Sequence, residues 1–293
     1  MEILRELDPE GVMARKKHKL RRRVYCVPGP NFLWHADGYD KLKPFGFSIH
    51  GCFDGFSRRL IWLEVASSNK QPEIIAKFYL DAVKQIGGVP SRIRSDDGTE
   101  ISILEPMQIA FRLAHDDEYA GEASFCIGTS PANQRIESYW SQLTKEKPLW
   151  WRNFFKELSA YGFIDSSNQF VLETFRYCFI DLIRKDLDDV AIRWNQHLLA
   201  PSKNSVLPRG KPDCLYFLPE LNNTCSYQKP VSHEEIAYFD DPAFVTAAKD
   251  NDTFFIEFAE TVLAFEGLPK KPTNVSTALK MYFFLLEALE ECL

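Results

Sequence analysis

Three acidic residues in this 293-residue chain have the types and settings that could do chemistry: Asp37 in FLWHADGYDKL, Asp96 in SRIRSDDGTE and Glu137 in GTSPANQRIESYW. The first two close or interrupt apolar, strand-like runs, and the third sits within a helix-like stretch, so a fold could bring all three to one point. Converging carboxylates make a metal site. Hard cations such as Mg²⁺ take oxygen ligands and bind through a few carboxylates together with substrate phosphates. Two such ions about 3.5–4 Å apart can hold the attacking and leaving oxygens of an in-line phosphoryl displacement. The chemistry expected is therefore cleavage or transfer at a phosphodiester, with two Mg²⁺ or Mn²⁺ ions as cofactor.

The elements that must position these residues follow from patterning. Residues 32–39, 45–54 and 59–65 are aromatic and β-branched runs separated by short turns, the pattern of a three-stranded antiparallel meander. PEIIAKFYLDAVKQIGG has Pro72 near its start, apolar residues at helical spacing and a stop at Gly87, so it predicts a helix crossing back over the sheet. VPSRIRSD then predicts a short strand, ISILEPMQIAFRLAHDD a helix and ASFCIG a fifth strand. A helix from Pro131 would carry Glu137, with Ile136, Trp140 and Leu143 on a buried stripe and Asn133, Glu137, Ser141 and Thr144 on an adjacent polar one. A further helical stretch runs over roughly residues 169–199.

At these residues the sequence resembles the catalytic core of retroviral and transposon integrases, which have a ribonuclease H-like fold with an Asp, Asp, Glu triad. SDDG is similar to that family's Thr/Ser-Asp-x-Gly, which makes Asp96 the ligand and puts Asp97 at the variable position. PANQRIES resembles the family's helix-opening stretch, with Glu137 as third ligand; 40 residues separate it from Asp96, slightly more than in retroviral members. WHADGYDKLKPFGFSIHGCFDGFSRR, GTSPANQRIESYW and GKPDCLYFLPE bear a closer likeness to transposon-derived integrase-core proteins of animal genomes. The likeness covers about residues 12–220. It implies an α/β fold: a mixed five-stranded sheet, three antiparallel strands then parallel additions, flanked by helices. It also implies Asp37 bridging both ions, Asp96 binding one and Glu137 the other, in 3′-end processing and strand transfer of DNA. Asn133 would be a flexible-loop residue near Glu137, with Lys145, Lys147 and Arg152 as candidate phosphate contacts and a homo-oligomer as the active form.

Charge is divided along the chain. The formal net charge is −6, yet residues from 213 onward carry 14 acidic and 5 basic side chains, which leaves residues 1–212 at +3. Within the latter, RKKHKLRRR places Arg15, Lys16, Lys17, Lys19, Arg21, Arg22 and Arg23 in nine positions, a run that can neutralise DNA phosphates or act as a nuclear import signal. Seven scattered cysteines without CxxC spacing argue against a zinc module or a disulfide framework. No stretch has a signal-peptide layout or membrane-spanning length, so the expectation is an intracellular, nuclear protein with no membrane partner.

Asp54 in FDGFSRR and Asp40 read as turn or cap residues, and His35 and His50 as satisfied imidazoles without metal-ligand spacing. The predicted organisation is a basic arm over 1–28, a catalytic core over 29–220 and an acidic, mostly helical extension over 221–293 that could meet an unidentified protein partner. The N-terminal zinc module and basic C-terminal barrel of retroviral integrases are not evident. A host-adopted, non-catalytic protein that keeps the fold and binds or scaffolds nucleic acid is the alternative reading.

Overall fold

The computed structural model describes residues 6–17, 25–128, 134–199 and 207–292, with the backbone alone for 14–17, 134, 135, 137, 138, 291 and 292. Strands β1 (Leu33–Tyr39), β2 (Ser48–Asp54) and β3 (Leu60–Ala66) form the antiparallel meander, and two short strands, β5 (Arg92–Ser95) and β6 (Phe125–Ile127), extend it. The order across the sheet is β3-β2-β1-β5-β6, with β1, β5 and β6 mutually parallel. This is the mixed five-stranded sheet expected of a ribonuclease H-like domain. Its functional consequence is geometric: the carboxyl ends of three parallel strands share one edge, where open α/β sheets bind ligands.

Each face of the sheet is covered by helices whose apolar spacing suits it. On one face, α2 (Pro72–Ile86) and α3 (Leu104–Arg112) bury Ile75, Tyr79, Val83, Met107 and Phe111 against Trp34, Ala36, Cys52 and Ile93. The first of these helices has Pro72 at its start and ends at Gly87, whose φ of +74° is the left-handed conformation that favours glycine. On the other face lie α4 (Gln134–Leu143), α5 (Lys147–Ala160) and the long α6 (Gln169–Gln196). Phe175, Phe179, Ile183, Leu187 and Val190 recur every three to four residues along α6, and all are buried.

Two parts of the fold are not marked by apolar periodicity. Helix α5 has Pro148 in its first turn, in KPLWWRNFFKELSA, a stretch so aromatic that its helical period is masked. A two-residue strand β4 (Gly88–Val89) pairs with β7 (Lys229–Pro230), which brings the stretch after residue 219 back beside β1. There Thr224 Oγ1 donates to Pro28 O at 2.6 Å and Tyr227 N to Pro30 O at 2.8 Å. The C-terminal helices α10 (Thr253–Phe265) and α11 (Val275–Cys292) form where the sequence predicts them. They bury Phe255, Leu263, Met281, Tyr282 and Leu285 in the same cluster as Phe175 and Phe179, so they cover the core rather than hang from it.

Candidate active site

Asp37 and Asp96 reach the same end of the sheet through strand pairing. In the parallel β1–β5 ladder Leu33, Trp34 and His35 stand beside Arg92, Ile93 and Arg94. The ladder ends there, and Asp37 and Asp96 each lie two residues further along the chain, at the same end of the sheet. The alternation of side chains puts both on one face: Trp34 and Ile93 lie in the cluster on the α2–α3 side, so Asp37 and Asp96 belong to the α4 side. Both are half-buried. Past β5 the chain turns at once, with the Gly98 amide donating to Asp96 O at 3.1 Å, while Asp97 is exposed.

Glu137 arrives on α4. That helix is held by Ile136, Tyr139, Trp140 and Leu143, all buried, each contributing on the order of 2 kcal/mol. Trp140 lies over Gly51, the residue directly opposite Asp37 on β2; a Cβ on Gly51 would come within 2.7 Å of the indole Cη2. The Trp140 Nε1–H donates to Asp37 Oδ2 at 2.9 Å, and the Gly38 amide donates to Asp37 Oδ1 at 2.8 Å. Glu137 is one helical turn before Trp140 and therefore on neighbouring surface of the same helix. Its backbone position is fixed in this way, while its side chain lies outside the described residues.

Several other polar groups, along this edge and elsewhere on the sheet, have partners. Tyr39 packs on Trp140 with ring centroids 5.3 Å apart and donates to Thr144 Oγ1 at 3.2 Å. Burial raises the Tyr39 pKa, opposed by the Thr144 bond and the positive charge of Arg152. His50 is buried and neutral: desolvation lowers its pKa to about 3, and its Nδ1 accepts from Trp62 Nε1 at 3.0 Å. The Tyr25 hydroxyl lies 2.8 Å from His35 Nε2. Asp40 opens a 3₁₀ turn and pairs with Lys43 at 3.0 Å. Asp54, 1% exposed, accepts from Asn31 N, Ser57 N and Ser57 Oγ at 2.6–2.7 Å, the turn role expected of it.

The predicted phosphate contacts separate. Arg152 is half-buried on α5, Lys145 is exposed in the turn after α4, and Lys147 pairs with Asp186 of α6 at 3.3 Å. Arg15, Lys16 and Lys17 end a helix over Pro9–Lys17, their side chains outside the described residues; Lys19, Arg21, Arg22, Arg23 and Asn133 lie outside them altogether. Among the described residues, which do not include the Glu137 side chain, no group of three or more His, Cys, Asp or Glu could hold a metal ion. The residue that sequence reasoning missed is Trp140, read as part of the buried stripe. A buried indole requires an acceptor for its N–H, and an acid on the facing strand was the available signal.

Residues 24–228, well over half of the chain, match the family model of the integrase core domain. The chain belongs to that family. No curated protein matches it. Integrase core domains bind DNA and generally use divalent metal ions, and membership suggests a function of the polynucleotidyl-transferase type. The residues fit such ions in kind: Asp37 and Asp96 offer carboxylate oxygens, half-buried, at the edge where three parallel strands end. No helix among the described residues is long and apolar enough to cross a membrane.

Proposed function

We propose that this integrase core cleaves and joins DNA phosphodiesters with two Mg²⁺ or Mn²⁺ ions held by Asp37, Asp96 and Glu137. The observation that supports the reading is the parallel β1–β5 ladder, after whose last pair, His35 and Arg94, Asp37 and Asp96 each follow two residues on, at the sheet end beside α4. When bound, the ions would supply Lewis-acid stabilisation of the phosphoryl oxygens and activate the attacking oxygen. The protein's part is to hold three carboxylates on two strands and one helix, all anchored in the core. Arg152, whose charge acts on Tyr39, is a candidate cation for a DNA phosphate near the site, and the basic run over 15–23 is suited to sequence-independent binding.

The same proposal gives the chain an arm over 1–28, a core over 29–220 and an acidic cover over 221–293, with self-association in the active form and action in the nucleus. Labelled duplex DNA incubated with Mn²⁺ or Mg²⁺ tests it, comparing wild type with Asp96→Asn at matched folding stability. Cleavage or joining by wild type alone supports the reading. Equal DNA binding by both proteins, with no turnover and no metal bound, replaces it with a non-catalytic nucleic-acid-binding protein that keeps the fold.

A further inference from the structure

Five tryptophans of this chain donate their indole N–H to an acceptor within the fold, and four of them use groups other than the carboxylate pair: Asn31 Oδ1, His50 Nδ1, Asp186 Oδ2 and Arg58 O serve Trp34, Trp62, Trp151 and Trp194. The fifth, Trp140, donates to Asp37 itself. Its indole has a built seat. Gly51 leaves the space beneath the ring, Tyr39 packs against it, and Thr144 Oγ1 donates to the Trp140 carbonyl at 2.6 Å, closing a ring of contacts from β1 to α4 and back. With the Gly38 amide on Oδ1 and the indole on Oδ2, each Asp37 oxygen receives one N–H, so rotation of the carboxylate would cost two charge-assisted hydrogen bonds.

From this geometry we propose that Trp140 is a positioning residue for the metal site: it orients the Asp37 carboxylate and ties that orientation to the helix carrying Glu137. The inference rests on the proposed metal site and deepens it. Partners that donate hydrogen bonds to a ligating carboxylate typically change metal affinity or activity by 10- to 100-fold when removed. Because one residue links Asp37 to α4, ion binding at Asp37 is felt by the helix one turn from Glu137. A tryptophan that merely filled the core would affect stability and leave metal affinity unchanged.

The test uses the full chain and the metal alone. The Mn²⁺ dissociation constant is measured by water-proton relaxation for wild type, Trp140→Phe, Gly51→Ala and Asp37→Asn. Trp151→Phe serves as control because it removes an indole-to-carboxylate bond far from the site. In parallel, the Trp140 indole ¹⁵N–¹H signal, assigned by its loss in Trp140→Phe or its displacement in Asp37→Asn, is followed during Mg²⁺ addition. The expected result is a dissociation constant about 10–100-fold higher in Trp140→Phe and also raised in Gly51→Ala. The control should be unchanged, and the indole signal should shift and saturate with the ion. If Asp37→Asn abolishes binding while Trp140→Phe and Gly51→Ala bind as wild type and the indole signal stays fixed, the positioning role is overturned and the metal site survives. If Asp37→Asn binds Mn²⁺ as wild type does, both fall. Should Trp140→Phe fail to fold, Gly51→Ala and the wild-type indole signal still decide the outcome.

Discussion

The two ends of the sheet carry the same raw material, strand-end aspartates, and treat it in opposite ways. At the end where β2 stops, Asp54 is sealed. Three short hydrogen bonds consume its oxygens, Asn195 bonds both the amide and the carbonyl of Leu60 nearby, and Arg59 pairs with Asp213 at 2.9 Å. At the end where β1 and β5 stop, Asp37 and Asp96 are half-buried, and Asp37 takes its two N–H groups from Gly38 and Trp140 rather than from a closing turn. Carboxylates brought toward one edge by parallel strands repel each other, so this end suits a counter-charge better than the end where Asp54 is locked. Residue type does not distinguish a ligand from a turn former; the partners do.

The largest effect that can break this comparison is chemical. Asp96→Asn should reduce Mn²⁺-dependent DNA cleavage by more than the roughly 10–100-fold typical of outer-shell partners, with the unfolding midpoint in urea little changed, because the substitution is near-isosteric at a half-buried position. Asp54→Ala should do the reverse. It strands two buried backbone amides, and urea titration should show a loss of about 3 kcal/mol with metal affinity retained in the folded fraction.

Protonation sharpens the contrast further. Burial raises the Asp54 pKa to about 6 from an ordinary 3.8, so its contribution favours folding below about pH 4 and is lost as pH rises through about 6. His50, across from Gly38 at the open end, has the opposite sign. Its pKa is lowered to about 3, so its contribution is present above about pH 6.5 and lost as pH falls toward 3. Stability measured from pH 4 to 7 should lose its acid-side decline in His50→Gln and steepen it in Asp54→Ala, each by up to about 1.4 kcal/mol per pH unit. The smallest effect concerns surface cations. Arg152→Ala should weaken DNA binding several-fold, and Lys147→Ala, whose ammonium is already engaged by Asp186, should change it by less than twofold in a salt titration.

Much of the fold was legible because its signals are local. The meander, the Pro72-to-Gly87 helix and the C-terminal helices each announce themselves through alternation, helical spacing or a stop residue. Asp37 and Asp96 were legible as a pair only through the resemblance; their place at one end of the sheet depends on a ladder between residues some sixty positions apart, which no local pattern encodes. Helix α5 was hidden because Trp150, Trp151, Phe154 and Phe155 crowd both sides of its period. The Trp140 bond was hidden for a different reason: an indole reads as apolar, and only its partner reveals the polar edge.

The aromatic face of α6 has a consequence for how the chain is made. Tyr282 packs on Phe175 at 5.0 Å and donates to Phe163 O across 119 positions. At ribosomal speeds of about 5–20 residues per second, that separation corresponds to a wait on the order of ten seconds. Throughout it the sheet can assemble while a band of phenylalanines stays uncovered, a window in which a nascent chain would depend on a chaperone.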